Sequence, residues 1–225
     1  LSTLFSYFNG YITLFNSTGK LFQLCEELIK KVENPSKEIR DELIYTKRKY
    51  YNLLDKVEKE IFINEGSEEV EDNLLQGSKA VKLTIPKSVK KIGNNSFYQC
   101  LKLTTVILNC IDLEEIGKSA FSGCASLIEI VLPQKVTIIK EHTFKGCEKL
   151  KKIVFPDKLE QILKGAFSEC TSLTEVKLPQ TIKQIGKGAF KKCNKLKHVV
   201  IPGVLYIHSN DEVPNEIQKS SEIKE

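Results

Sequence analysis

A repeat of about 23 residues constrains what this chain can fold into more than any other feature of its sequence. Phenylalanine recurs with this spacing, each time followed three residues later by a cysteine, at Phe97, Phe121, Phe144, Phe167 and Phe190. Proline recurs at the same step, at Pro133, Pro156, Pro179 and Pro202. A fixed period of roughly 20 to 50 residues is the signature of solenoids, in which each repeat stacks on the next.

One unit of the repeat shows how its spacing maps onto structure. Leu127, Ile130 and Leu132 form an LxxIxL pattern, typical of a short strand whose inward side chains lie two residues apart. Pro133 then ends the strand, because proline has no backbone donor. The following AFxxC stretch predicts a short helical turn on the opposite, convex side. No coil can bury its apolar side alone, so the coils are expected to stack into one continuous core.

The repeat also predicts where the solenoid is irregular and where it ends. The coil around Asn109 has one residue more than its neighbours, and Asn109 stands where the other coils have proline. We interpret the extra residue as a single-residue loop insertion. The pattern stops after Pro202, so we assign residues 80–207 to the solenoid and 208–225 to a polar C-terminal tail.

The consensus CxxLxxIxLPxxVxxIxxxAFxxC over residues 80–202 resembles the BspA-like, or Treponema-type, leucine-rich repeats of bacterial and protozoan surface proteins. The resemblance implies an α+β repeat fold: a leucine-rich-repeat solenoid of about five 23-residue coils with a parallel concave sheet, preceded here by an N-terminal α-helical region. It also implies a role common in that family, adhesion to host or matrix proteins and to other cells. It implies no catalytic residues.

The first 79 residues do not carry the repeat. Residues 1–64 have the apolar spacing of helices, and Asn34 and Pro35 separate a shorter segment from a longer one. A helical hairpin within the chain and a short coiled coil with another chain both fit this spacing, although Lys47 interrupts the coiled-coil pattern. Residues 65–79 are predicted to form an acidic linker, because five acidic residues lie between Glu65 and Asp72.

The stacked cysteines predict buried free thiols. Their side chains point the same inward way, which does not suit disulfides, and the gaps of about 23 residues do not suit zinc. None of the three histidines lies in a recognisable nucleophile or zinc motif. Lysine and glutamate are intermixed, and no run of 18 apolar residues occurs. We therefore expect no enzyme activity, cofactor or metal, no nucleic-acid partner and no membrane insertion.

The outward positions of the predicted strands form the candidate partner-binding surface. One column, between the inward apolar positions, consists of Thr84, Ile107, Val131, Val154, Lys177 and Val200. The neighbouring column consists of Lys82, Thr105, Glu129, Lys152, Glu175 and His198. The first column fits a docking stripe, but it also fits the general preference of strands for β-branched residues. The alternating charges of the second column favour cross-strand stabilisation over recognition.

These observations favour a binding module over an enzyme. The first hypothesis is a surface adhesin or antigen that holds a protein or glycan partner, such as a host or matrix protein, on the concave sheet. The alternative is an intracellular adaptor in which the helix around residues 37–62 also binds a partner. Location stays open, because the sequence begins at Leu1 and contains no methionine. We expect the start of the translation product, with any signal it carries, to lie outside this sequence.

Overall fold

The structure is a computed structural model that describes residues 36–41, 44–45, 47–48, 59–200 and 206–207. It confirms the solenoid, a stack of about six parallel coils with little helix. Each coil contributes one strand to a first face, one strand to a second face and a run of turns to a third. We call these the odd face, the even face and the turn face.

The odd face corresponds to the strands that the repeat predicts on the concave side. Its strands are β1 (Glu60–Phe62), β3 (Lys82–Ile85), β5 (Thr105–Leu108), β7 (Glu129–Val131), β9 (Lys152–Val154), β11 (Glu175–Lys177) and β13 (His198–Val200). The even face consists of β2 (Glu69–Val70), β4 (Lys91–Ile92), β6 (Glu115–Ile116), β8 (Ile138–Ile139), β10 (Gln161–Ile162), β12 (Gln184–Ile185) and β14 (Tyr206–Ile207).

Parallel pairing joins successive coils on both faces. On the even face the hydrogen-bonded orders are β2-β4-β6 and β8-β10-β12-β14. On the odd face they are β1-β3-β5, β7-β9 and β11-β13, so the described ladder is interrupted after β5 and again after β9. At the first interruption one backbone hydrogen bond remains just before the two strands begin. In it the Ile128 amide donates to the Thr104 carbonyl at 3.3 Å.

Each coil reverses direction on the turn face through two residues of positive φ that lie four positions apart. Ser119 and Gly123 occupy these positions in one coil, and His142 and Gly146 occupy them in the next. Glycine adopts this left-handed conformation without steric cost, which explains why it occupies one of the two positions in five of the six described coils. The intervening residues form turns with bonds between residues three apart, such as the Cys124 amide to the Phe121 carbonyl at 3.2 Å. A succession of turns therefore stands where the sequence predicted a short helical turn.

A ladder of phenylalanine rings runs through the core beneath the turn face. The rings of Phe97, Phe121, Phe144, Phe167 and Phe190 are all buried. Successive ring centroids lie 5.0, 5.5, 5.3 and 5.5 Å apart with nearly parallel planes. Spacing of this kind is favourable for stacked aromatic pairs beyond the burial of their area. Each ring therefore contacts the coils before and after it and couples them.

The repeat cysteines are buried free thiols, as the sequence predicted. Each thiol donates a hydrogen bond to a carbonyl of the preceding coil. Sγ of Cys124 lies 3.2 Å from the Phe97 oxygen, and Sγ of Cys147 lies 3.3 Å from the Phe121 oxygen. Burial raises the pKa of the Cys147 thiol to about 12, so the proton that makes this bond is retained at neutral pH.

The solenoid begins earlier in the chain than the sequence predicted. Glu60–Phe62, assigned to the helical region 1–64, forms β1 and pairs with β3. Glu69–Val70, inside the predicted acidic linker 65–79, forms β2 and pairs with β4. Leu75 is buried where later coils have phenylalanine. Residues 60–79 thus form a first coil in place of a linker.

Most acidic residues of this first coil lie outward, and this explains why the segment suggested a linker. Glu69 pairs with Lys91 of the next coil, where the carboxylate oxygen and Nζ are 2.8 Å apart. Glu68 lies 3.7 Å from Nζ of Lys90 in the same way. A column of solvated cross-strand charges has the local composition of a linker, although the backbone beneath it is ordered in a ladder.

A helical segment of the N-terminal region contacts the first coil. Residues 37–41, 44–45 and 47–48 are helical, and Ser36 Oγ accepts a bond from the Ile39 amide at 3.4 Å, as an N-cap does. Lys47 is only 6% exposed and forms an ion pair with Glu71. Arg48 donates to the Asp72 carbonyl at 3.3 Å. The choice between a helical hairpin and a coiled coil, and the tail 208–225, concern residues outside those described.

The extra residue of the long coil lies at the end of a strand and not in a loop. The turn bond from the Val136 amide to the Pro133 carbonyl, 3.2 Å, has its equivalent in a 3.2 Å bond from Leu113 to Cys110. Cys110, not Asn109, therefore occupies the proline position. The Asn109 amide instead donates to the Ile85 carbonyl at 3.0 Å and so extends the β3–β5 ladder.

Truncating one ring of the phenylalanine ladder tests the core. Phe144→Ala removes a fully buried side chain between two rings and is expected to lower the free energy of unfolding by about 3 to 5 kcal/mol. Urea unfolding followed by circular dichroism measures the change. Thr137→Ala, at an exposed position, is the control and should stay within about 0.5 kcal/mol. A loss below about 1 kcal/mol for Phe144→Ala would contradict the packing described here.

Candidate partner-binding surface

The strand register brings the first predicted column together on the odd face. Thr84 lies opposite Ile107, Val131 opposite Val154, and Lys177 opposite Val200. These side chains point outward because successive side chains of a strand alternate between its two faces. The neighbours on the other side of the pleat point inward, and in β7 and β11 they are fully buried, as Ile130 and Val176 show.

The structure adds a member at the N-terminal end of this column. Phe62 lies opposite Thr84 in the β1–β3 pair. We call the set the apolar column: Phe62, Thr84, Ile107, Val131, Val154, Lys177 and Val200. The exposed fractions of its large apolar members are 58% for Phe62, 36% for Ile107, 60% for Val131 and 37% for Val154. In the structure the stretch from Glu60 to Ile63 alternates exposed and buried residues. The sequence shows only a short apolar run from Ile61 to Ile63, which does not distinguish a strand from a helix.

The second predicted column also assembles, but its charges pair less regularly than expected. Lys82 lies opposite Glu60, and its Nζ is 3.1 Å from a carboxylate oxygen. Glu175 lies opposite His198 along the backbone, yet its carboxylate is 3.2 Å from Nζ of Lys177 in its own strand. Glu129 and Lys152 are opposite one another without an ion pair in the described part of the chain. Exposed pairs of this kind contribute little to stability, about 0 to 1 kcal/mol.

The even face has a different character. The outward positions of its strands with described side chains are Glu69, Lys91, Glu115, Ile138, Gln161 and Gln184. Several of these charges are already paired. Nζ of Lys140 is 2.6 Å from Glu115, and the hydrogen bond with Glu69 raises the pKa of Lys91. The even face is therefore mostly polar and internally compensated, whereas the odd face exposes an apolar column.

The odd face also contains a groove where the ladder is interrupted between β5 and β7. Its volume is about 590 Å³, and it is lined by residues 104–108 and 128–134 together with Cys110 and Ile111. Val106 and Leu108 of β5 are only half-buried, whereas the corresponding Ile130 and Leu132 of the next coil are buried. The long coil thus packs less closely than the regular ones and leaves an open apolar surface.

The buried cysteines of the described coils favour the protonated thiol. Burial raises the pKa of the Cys110 and Cys193 thiols to about 11, which disfavours the nucleophilic thiolate. Across residues 59–200 and the shorter described stretches, no three His, Cys, Asp or Glu side chains come together as a metal site would require. No helix in the described ranges is long and apolar enough to cross a membrane.

Comparison with solved structures places this architecture among bacterial leucine-rich repeat proteins. One from Bacteroides ovatus is 28% identical with a TM-score of 0.53, and the match covers 65% of this chain and 46% of that one. The pneumococcal vaccine antigen PcpA is 34% identical with a TM-score of 0.51, covering 55% of this chain and 31% of PcpA. A leucine-rich cell surface protein from Faecalibacterium prausnitzii is 24% identical with a TM-score of 0.50, covering 64% and 48%.

This chain therefore spans less than half of each of these three proteins. No curated protein sequence is significantly similar to it. The BspA type leucine-rich repeat region matches residues 22–127 and 114–211, in six copies. Because this match covers well over half of the sequence, the chain belongs to the family of BspA-type leucine-rich repeat proteins.

Proposed function

We propose that this chain is a protein-binding module that holds its partner on the odd face. The observation that carries the proposal is the apolar column, whose large members are 36% to 60% exposed along one face. Contiguous exposed apolar surface with a polar rim is characteristic of interaction sites. Docking a partner there would remove this surface from water and supply the main favourable term of binding.

The even face argues against the simpler explanation that β-branched residues merely suit parallel ladders. Its strands form the same kind of ladder, yet Glu69, Lys91, Glu115, Gln161 and Gln184 occupy most of its outward positions. Parallel pairing in this fold therefore does not require β-branched residues outside. The apolar column on the odd face needs a second cause, and partner binding supplies it.

The solenoid also supports binding through its rigidity. The column residues lie on strands that also place side chains in the core, such as Ile130 of β7 and Val176 of β11, which are buried. A surface that is ordered before binding loses little conformational entropy when the partner docks. The outward side chains of the column are apolar at five of seven positions, which favours a protein partner over a glycan.

The location proposed for this activity is the cell surface, with a host or matrix protein as the partner. The similarity to PcpA, whose description is that of a vaccine antigen, supports this location. An intracellular adaptor that also uses the helix around residues 37–62 is the competing proposal. In the structure Lys47 and Arg48 of that segment contact the first coil, which ties part of the helix to the solenoid.

A double substitution on the apolar column tests the binding proposal. Val131→Asp with Val154→Asp places two charges on neighbouring outward positions and is expected to reduce capture of partner proteins at least about tenfold. The immobilised chain is exposed to an extract of extracellular matrix and host membrane proteins, and the retained proteins are quantified by mass spectrometry. Ile138→Asp is the matched control, because Ile138 is a 36% exposed strand residue on the even face.

Both variants should keep the wild-type circular dichroism spectrum, since all three positions are exposed. Equal retention by the wild type, the double variant and the control would remove the odd face as the binding site. A loss that the control shares equally would point to general surface charge instead of the apolar column.

Accessibility on cells that produce the full-length protein tests the proposed location. Protease and antibodies that recognise the solenoid should reach it on intact cells as well as on lysed ones. Protection until lysis would contradict the surface location and favour the adaptor. A cytoplasmic protein of the same cells, probed in parallel, controls for leakage.

A further inference from the structure

The net charge of this chain is concentrated in one coil. Residues 175–197, which we call the basic coil, contain a single acid, Glu175, and seven lysines, namely Lys177, Lys183, Lys187, Lys191, Lys192, Lys195 and Lys197. The basic coil therefore carries a formal charge of +6, whereas the whole sequence carries +5 and all its other residues together −1. Lysine and glutamate are intermixed along the chain as a whole, but they are not balanced in this coil.

Another lysine-rich coil shows how such charge is usually compensated in this fold. Residues 82–104 contain five lysines and no acid. The coil before them, residues 60–81, contains six acids and one lysine, and the two coils form ion pairs such as Lys91 with Glu69 at 2.8 Å. The positive charge of that coil is thus matched by its neighbour, residue by residue along the ladder.

The basic coil has no neighbour of that kind. The coil before it, residues 152–174, contains three lysines and three acids and is neutral overall. Residues 198–225 carry a formal charge of −3, so even complete pairing with them would leave half of the charge of the basic coil. The ion pairs of its lysines in the described part of the chain are those of Lys177 with Glu175, Lys183 with Glu160 and Lys192 with Glu169, at 3.2, 2.8 and 3.7 Å.

Five lysines of the basic coil lie on one continuous outer surface. Phe190, Cys193 and Leu196 of this stretch are buried in the core. The lysines on either side of these core residues are exposed, and we call them the basic patch: Lys187, Lys191, Lys192, Lys195 and Lys197. The patch follows the turn face and ends just before β13, and it includes no residue of the apolar column. No acid occurs between its first and last residues.

The preceding coil shows that the fold does not require lysine at these positions. Backbone bonds align the two coils, such as the bond from the Lys197 amide to the Thr174 carbonyl at 3.0 Å. The residues equivalent to Lys191, Lys195 and Lys197 in the preceding coil are Ser168, Ser172 and Thr174. Neighbouring like charges repel one another and oppose folding. A cluster of lysines that folding neither requires nor favours is expected where a ligand of opposite charge binds.

We propose that the basic patch binds an acidic polysaccharide, a sugar chain that carries sulfate or carboxylate groups along its length. Lysine ammonium groups bind such anions as compact point charges. Runs of basic residues are characteristic of heparin sites and of nucleic-acid sites alike. The proposal adds a second class of ligand on a second face, and so goes beyond protein binding on the odd face.

The other side chains of the patch favour a polysaccharide over a nucleic acid or an anionic membrane. Nucleic-acid sites use exposed aromatic rings for stacking and arginine for reading bases. Between positions 187 and 197 the single aromatic residue, Phe190, is buried, and arginine does not occur. Helices that lie on membranes insert apolar side chains beside their charges, but Ala189 and Leu196 are buried too. The exposed neighbour of the lysines is Asn194, whose amide suits sugar hydroxyls.

Titration calorimetry of the full chain with a heparin dodecasaccharide tests the proposal. The patch variant, Lys191→Ser with Lys195→Ser and Lys197→Thr, carries the residues of the preceding coil at equivalent positions, so its fold should persist. Its affinity for the dodecasaccharide is expected to be about tenfold lower than that of the wild type. The difference should shrink as salt is raised, because exposed charges are screened.

A matched control removes the same formal charge elsewhere. Lys87→Ser with Lys102→Ser and Lys118→Thr changes three exposed lysines of two other coils. Its affinity should stay within about twofold of the wild type, because charges separated by more than a Debye length interact weakly. All three chains should give the same circular dichroism spectrum. Equal losses in the two triple variants, or a wild type that does not bind the dodecasaccharide, would overturn the proposal.

Two further probes distinguish a polysaccharide from other polyanions. The first is a set of single-stranded and double-stranded oligonucleotides with the formal charge of the dodecasaccharide. The second is vesicles of phosphatidylserine and phosphatidylcholine. The wild type should bind the dodecasaccharide more tightly than either probe, and the patch variant should lose that preference. Equal or tighter binding of the oligonucleotides or the vesicles would overturn the assignment of the patch to a polysaccharide.

Discussion

Contact between one coil and the next is the interaction on which the rest of this structure depends. In the core, stacked rings such as those of Phe121 and Phe144, whose centroids are 5.5 Å apart, provide this contact. The thiol of Cys147 reaches back to the Phe121 carbonyl at 3.3 Å and satisfies an acceptor at the same level. The backbones of adjacent coils also approach one another closely at Gly117, where an added Cβ would lie 2.5 Å from the Gly93 carbonyl carbon. A side chain at that point would force the two coils apart.

This dependence explains why so much of the fold follows from sequence. A single coil cannot bury its apolar side chains by itself, so each coil must repeat the apolar spacing of its neighbours. That shared spacing places equivalent residues opposite one another in successive strands. The outward columns through Val131 and Val154 could therefore be predicted before any coordinates were known. The buried free thiols followed for the same reason, since equivalent side chains of stacked coils point in one direction.

The features that sequence did not predict are those where one coil departs from its neighbours. The first coil has Leu75 in place of phenylalanine, and its outward acids pair with lysines that lie in the next coil, 22 residues away in the case of Lys91 and Glu69. The groove lies where the ladder is interrupted next to the coil that contains Asn109. A count of residues shows the insertion in that coil but not whether it lies in the strand or in the loop. The pairing of the first coil and the groove both depend on how two neighbouring coils pack, and the residue pattern of a single coil does not predict that packing.

Regular and irregular coils together give the binding proposal its physical basis. The regular coils hold the apolar column rigid, and the irregular one opens space beside Ile107 and Val131 for a partner to enter. Site-specific photocrosslinking measures the central claim most directly. A benzophenone amino acid at position 131 should yield covalent adducts with a partner when cells that produce the protein are exposed to host and matrix proteins. The same amino acid at position 138 on the even face should yield none. Adducts at 138 alone, or equally at both positions, would contradict binding on the odd face.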